Sequence, residues 1–232
     1  TGTSTTTTID LSGLTSATSI TGVDLSGATG IAGDLDSFAN ATTITLGNVE
    51  INNATSGSLI SLTVTADTAG ILIDTASATT IILNGNLDGG ADITADSATS
   101  ITVNAADTNG AGALIIDAAA ALVSIPNLTE VGGVLDITAD SVSAPSLATA
   151  TGDATFNASS VSAGAFALAG ADLTVNILGD GGSVSLPALT AITGSGVVSS
   201  TTTTLAALAT VTGTLQIDSS SLSAASLTSV GG

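Results

Sequence analysis

Short runs of alternating apolar and polar residues recur along this chain, each about as long as one strand. Leu135 and Ile137 flank Asp136, and Leu215 and Ile217 flank Gln216. A period of two is the spacing of a strand with one buried face. The runs fall on a beat. In the second half Pro126, Pro145, Gly164, Pro187, Ala206 and Ala225 stand 19, 19, 23, 19 and 19 residues apart. Two positions after each comes a large apolar residue: Leu128, Leu147, Phe166, Leu189, Leu208 and Leu227. Five further on comes glycine at Gly133, Gly152, Gly194, Gly213 and Gly232, while the third copy reaches Gly170 one residue early. A fixed period near 20 marks stacked supersecondary units, each too small to bury its apolar face alone.

One unit reads V-x-A-P-x-L-x-x-V-x-G-x-L-x-I, with residues 123–137 and 205–217 as the best copies. Proline fixes φ and cannot donate to a ladder, so Pro126, Pro145 and Pro187 suit corners between strands. Glycine ahead of the next strand is expected to take positive φ and turn the chain sharply. Strand, corner, strand, corner is one coil, and successive coils pair in parallel at roughly 4.8 Å. The predicted fold class is all-β, a parallel β-solenoid with coils of about 19–22 residues.

The first half keeps a looser beat. Thr18-Ser19-Ile20-Thr21, Thr42-Thr43-Ile44-Thr45, Thr79-Thr80-Ile81-Ile82 and Thr99-Ser100-Ile101-Thr102 read as one recurring strand. Their isoleucines are 24, 37 and 20 residues apart, and the interval of 37 leaves room for a further coil near Leu62 and Val64. The alanine-rich run 113–123 reads as strand and turn. The expected organisation is one elongated domain, with irregular coils over 1–121, regular ones over 122–232, and about eleven or twelve coils in all. Gly232 stands in the column of Gly213, ahead of the strand that would follow it, and Thr1 is not an initiator. The expectation is a segment of a longer repeat protein.

Composition narrows the chemistry. The 232 residues include no Lys, Arg, His, Cys, Met, Trp or Tyr and only three Phe, and the net charge is −19. Mean hydropathy is +0.63, so the chain lies outside the class of charged, apolar-poor disordered segments. With no His, Cys or Lys, a serine nucleophile has no ordinary base, and zinc sites of the usual kind cannot be built. No Walker lysine is present, and the charge opposes nucleic acid. No apolar run approaches the roughly 20 residues of a membrane span. Trypsin finds no bond to cleave.

The copies Ile125-Pro126-Asn127-Leu128-Thr129-Glu130-Val131-Gly132-Gly133 and Leu186-Pro187-Ala188-Leu189-Thr190-Ala191-Ile192-Thr193-Gly194 resemble the leucine-rich-type coil of receptor L-domains and related microbial cell-surface repeats. The resemblance covers residues 122–232 well and 1–121 loosely. It implies a right-handed β-helical shape and a surface, wall or adhesive role without catalysis. The chain departs from that pattern in lacking cysteines and basic residues and in having almost no aromatics.

Carboxylates are the one reactive group in quantity. Paired aspartates can hydrolyse glycosides, with Asp34 and Asp36 or Asp88 and Asp92 as candidates, but a sugar site lacks aromatic platforms here. Calcium is the better use, because oxygen ligands suit a hard cation. Asp34-Leu35-Asp36, Asp88-Gly89-Gly90-Ala91-Asp92 and Gly179-Asp180-Gly181-Gly182 are the candidate acidic segments. The candidate ligands are therefore Asp34, Asp36, Asp88, Asp92 and Asp180. None matches the EF-hand spacing, and local turn bonding is the competing use of such residues.

Asn40, Asn53, Asn127 and Asn157 open N-linked acceptor triplets. Asp67-Thr68-Ala69, Asp74-Thr75-Ala76, Asp96-Ser97-Ala98 and Asp140-Ser141-Val142 resemble an O-linked acceptor used by some bacteria on exported proteins. The functional expectation is a structural or adhesive component at the cell surface, such as a filament, sheath, surface layer or large adhesin. Its expected partners are copies of itself or further repeats, and glycans or the cell envelope. The alternatives are an ice- or crystal-surface binder using the Thr-x-Ile-Thr strands, and a carbohydrate-active β-helix. A uniformly acidic surface is expected to oppose side-by-side contact.

Overall fold

The computed structural model describes residues 112–231 continuously, and residues 71–108 apart from 76–77, 85–86, 88 and 106. Nearer the start it describes the strands Thr8–Asp10, Gly22–Leu25, Gly30–Ala32, Thr43–Leu46, Ile51–Thr55 and Ser61–Val64. Side chains are described from Ile73 onward, except those of Asp107 and Thr108.

The fold is a parallel β-solenoid. Every strand pairing among the described residues is parallel, and no helix occurs among them. Each coil has three faces. The first carries Gly90–Thr94, 113–118, 135–139, Ala154–Ala158, Leu173–Ile177, 196–200 and 215–219. The second carries Thr80–Leu83, Ser100–Val103, 122–124, 141–143, Ser160–Ser162, Ser183–Ser185, 202–204 and 221–223. The third is built from two-residue strands, from Asp107–Thr108 and Glu130–Val131 through to Ser229–Val230. Strand Ala113–Ser124 runs over two faces with a register irregularity between Ala118 and Leu122, which is the strand and turn its sequence predicts. Small side chains allow that bend: Ala118, Ala139 and Ala158 occupy successive corners and are buried.

Register bears out the looser beat of the first half. Val23, Ile44, Leu62, Ile81, Ile101, Val123, Val142, Val161, Val184, Thr203 and Leu222 align coil on coil. The coil expected at Leu62 is present. Val23 rather than Ile20 aligns with Ile44, so the first copy of the recurring strand starts later than its threonines suggest.

The core is a set of aliphatic ladders. Ile73, Ile93, Ile116, Ile137, Phe156, Val175 and Val198 stack under the first face. Leu128, Leu147, Phe166, Leu189 and Leu208 are each 0% exposed at the turn after the second face. Phe156 and Phe166 meet edge to face at 6.5 Å within one coil, an arrangement favoured by the ring quadrupoles. Leu227 completes the ladder only in part: it is half-buried, and Leu222 and Val230 in the same coil are exposed, because no described coil packs over them.

Pro145 and Pro187 stand in β-turns that present this ladder, and Pro126 in a bend at the same place. The Leu147 N–H donates to the Ala144 carbonyl at 3.3 Å, which places Pro145 second in the turn, where its fixed φ fits. The same bond recurs at Phe166 to Ala163, Leu189 to Leu186 and Leu208 to Leu205. Neighbouring coils stay hydrogen-bonded through the turn, since Ala167 N–H donates to Ala148 and Ala209 N–H to Thr190.

The glycine column has a different cause from the one expected. Among the described residues only Gly90, Gly179 and Gly181 have positive φ, so the column glycines do not turn the chain by left-handed backbone. They let coils approach. A Cβ at Gly152 would lie 2.6 Å from the Gly133 carbonyl oxygen, and one at Gly213 would lie 3.0 Å from Gly194 backbone. The same close approach carries a ladder in which Gly133 N–H donates to Gly112, Gly152 to Gly133, Gly194 to Ala171 and Gly213 to Gly194. Ala171 therefore holds the column position in the third copy.

Candidate functional site

Of the candidate calcium ligands, Asp34, Asp36 and Asp88 lie outside the described residues. Asp92 is exposed on the first face, facing Leu72 and Ile115 in register. Asp180 is exposed in the loop between the first and second faces of a coil four further along. At one strand spacing per coil the two are roughly 19 Å apart along the axis, so they serve no common ion. No three acidic side chains converge among the described residues.

Other aspartates, not singled out by their spacing, have defined work. Asp153 and Asp172 follow the glycine column, where the corner leaves backbone N–H groups short of acceptors. The Asp172 N–H donates to the Asp153 carboxylate at 3.2 Å, and the Ser195 N–H to the Asp172 carboxylate at 2.7 Å. Ser195 continues the column by accepting from the Thr214 N–H at 3.3 Å. One sequence signal was available: both aspartates occupy the same place in consecutive copies. On the first face, Asn176 donates to Asn157 at 3.0 Å and Asn157 to Thr138 at 3.4 Å, a polar ladder running coil to coil.

Asp136 is half-buried on the first face. Its pKa is raised, first by burial and then by the neighbouring charge of Asp117. A raised folded pKa favours the protonated form, so this group's ionisation lowers stability as pH rises through that pKa. Asp136→Asn is therefore expected to raise the melting temperature at pH 7, with the gain fading as the pH falls below the carboxylate range. A melting temperature unchanged or lower at neutral pH would remove that strain from the account.

The second face differs from the other two. Its outward positions form two columns: Thr80, Ser100, Leu122, Ser141, Ser160, Ser183, Thr202 and Ser221 in one, and Ile82, Thr102, Ser124, Ser143, Ser162, Ser185, Thr204 and Ser223 in the other. No described carboxylate lies on it over this span. Asp74, Asp92, Asp117, Asp136 and Asp218 are on the first face and Glu130 on the third, while Asp96, Asp140, Asp153, Asp172 and Asp180 are at corners and loops. The surface is thus not uniformly acidic, contrary to expectation from composition, because strand alternation and coil stacking sort the carboxylates by face.

The modification triplets are sorted as well. Thr75 is 1% exposed and its oxygen accepts from the Ala78 N–H, so in the folded chain it is closed to a transferase. Asn157 is engaged in the amide ladder, whereas Asn127 is exposed in the turn after Pro126. Ser97 is exposed in a turn and Ser141 is half-buried on the second face. Asn40 and Thr68 lie outside the described residues, and Asn53 is placed in strand Ile51–Thr55.

Fold and surface together define a parallel β-solenoid repeat protein. Comparison with family models, curated proteins and solved structures yields no match. The class therefore rests on strand register and burial. No helix among the described residues is long and apolar enough to cross a membrane.

Proposed function

We propose that this chain is a structural or adhesive segment of an extracellular surface assembly, such as a filament, sheath, surface layer or large adhesin, and that it works without catalysis. The observation that carries this reading is the unbroken series of paired coils from Val23 to Leu222, a shape suited to a rod about 48 Å long at one strand spacing per coil. A rod of that kind extends by repetition, since each coil contacts only its neighbours. The likeness of residues 122–232 to coils of receptor L-domains and microbial surface repeats supports the same setting. So does the composition: a surface without Lys or Arg resists proteases that need them. Partners in this reading are further repeats or copies of the chain, together with glycans or the cell envelope.

Divalent cations are the natural counter-charge between such chains, because no copy carries a basic side chain to pair a carboxylate. Micrographs of native material test the reading directly, with fibres, sheets or rods as the expected result; isolated compact particles would overturn it. Chelator is expected to loosen such assemblies, and assemblies unchanged by EDTA at both low and high salt would assign cohesion to strand pairing and apolar packing instead.

An ice- or crystal-surface binder is the second reading, favoured by the two aligned columns of the second face, in which all but Leu122 and Ile82 carry hydroxyls. That face is mostly serine from Ser124 onward, so it offers few of the methyl groups that a hydroxyl–methyl array requires. Thermal hysteresis of the purified chain measures this directly.

A further inference from the structure

We propose that the second face is a self-association surface, on which two copies of this chain pack face to face about Leu122. The inference goes beyond the extracellular reading and holds for the isolated chain in solution.

Charge selects the face. Each copy carries −19 and no cation, so any contact that opposes carboxylates is repulsive and has no salt bridge to offset it. The second face is the broad surface free of described carboxylates from Thr80 to Ser223. Its chemistry is self-complementary, because a hydroxyl both donates and accepts. Among the described residues no hydrogen bond engages the hydroxyls of the two columns, whereas Thr138, Asn157 and Asn176 on the first face bond to one another. Geometry adds a further reason. Any other polymer would have to match the coil spacing of roughly 4.8 Å by coincidence, while a second copy matches it by construction.

Leu122 fixes the centre. It is 56% exposed, the most exposed large apolar side chain among the described residues, and stands in the third of the eight described rows; the other apolar outward position, Ile82 in the first row, is half-buried. In a two-fold arrangement each patch meets its own kind, so an axis near Leu122 buries it against its counterpart. With the axis at the third row, five described rows overlap, and at one strand spacing and a width near 10 Å they give roughly 240 Å² per copy, below the size of stable specific interfaces. Pairing of isolated chains is therefore weak, and it strengthens when many coils engage together.

The chain has no cysteine, so single substitutions report the contact cleanly. Under mild oxidation Leu122→Cys is expected to form a disulfide dimer at least about tenfold faster than Thr155→Cys on the first face, because only the former is brought to its counterpart. Sedimentation of the unsubstituted chain should show dimer rising with added sodium chloride, as screening removes the long-range repulsion. Ser143→Asp with Ser162→Asp places carboxylates on the face at exposed positions, and should abolish that dimer while leaving the circular-dichroism melt in place. Equal cross-linking of the two cysteine variants would overturn the proposal. So would a chain that stays monomeric at millimolar concentration in high salt, or a salt-promoted dimer indifferent to the two aspartates.

Discussion

Leu189→Asp is expected to cost several kcal/mol, enough to unfold the coils around it. Leu189 is 0% exposed and lies in the ladder between Phe166 and Leu208. An isolated carboxylate in apolar surroundings either pays a large desolvation penalty or takes up a proton to avoid it. Rescue by an ion pair is impossible, since the chain has no Lys, Arg or His. The lost leucine contacts add the cavity cost of a large-to-small change. Because coils touch only their neighbours, damage at one interface also separates the coils on either side. Thr193→Asp, at an exposed position in the same coil, is expected to stay within about 0.5 kcal/mol of the parent chain. Urea unfolding followed by far-ultraviolet circular dichroism measures both. A midpoint for Leu189→Asp matching that of Thr193→Asp would mean the ladder is not the core.

Two glycines of neighbouring columns are expected to respond with opposite sign. At Gly152 an added Cβ meets the Gly133 carbonyl oxygen at 2.6 Å and its carbon at 2.8 Å, both of them backbone atoms that cannot rotate away. The bond from the Gly152 N–H to that carbonyl, now 3.1 Å, would have to lengthen as the coils part. Gly152→Ala is therefore expected to lose about 1–3 kcal/mol, the usual range for overpacking. Gly164 has no atom within 4 Å of a built Cβ and occupies the turn position held by Pro126, Pro145 and Pro187 in other coils. Gly164→Pro is expected to gain about 0.4–1 kcal/mol by restricting the unfolded chain. If both substitutions destabilise alike, coil-to-coil contact is not what selects glycine at 152.

Much of the architecture was legible in the residues. A solenoid gives every member of a column the same surroundings, so the need for a leucine at the ladder, a proline second in the turn and a glycine at the close approach recurs on a 19-residue beat. Even the coil centred on Leu62 showed as a gap of the right length between Ile44 and Ile81. The physical use of the glycines was not legible, because positive φ and close approach select the same residue. The candidate ligands were chosen by nearness along the chain. In a stacked fold, nearness is set by register across 18 to 23 residues, and Asp153 with Asp172 answers to that rule while Asp92 and Asp180 do not.

Period, strand alternation and the exclusion of basic chemistry were thus determined by the sequence itself, since each depends on residue type and spacing alone. Which side chains share a face was decided only by the tertiary structure. Serine and threonine are so common in this chain that no local pattern distinguishes the second face. Only the parallel register, which brings Ser143, Ser162 and Ser185 into one line while turning Asp117 and Asp136 to another side, makes one face hydroxylated and free of described carboxylates from Thr80 to Ser223.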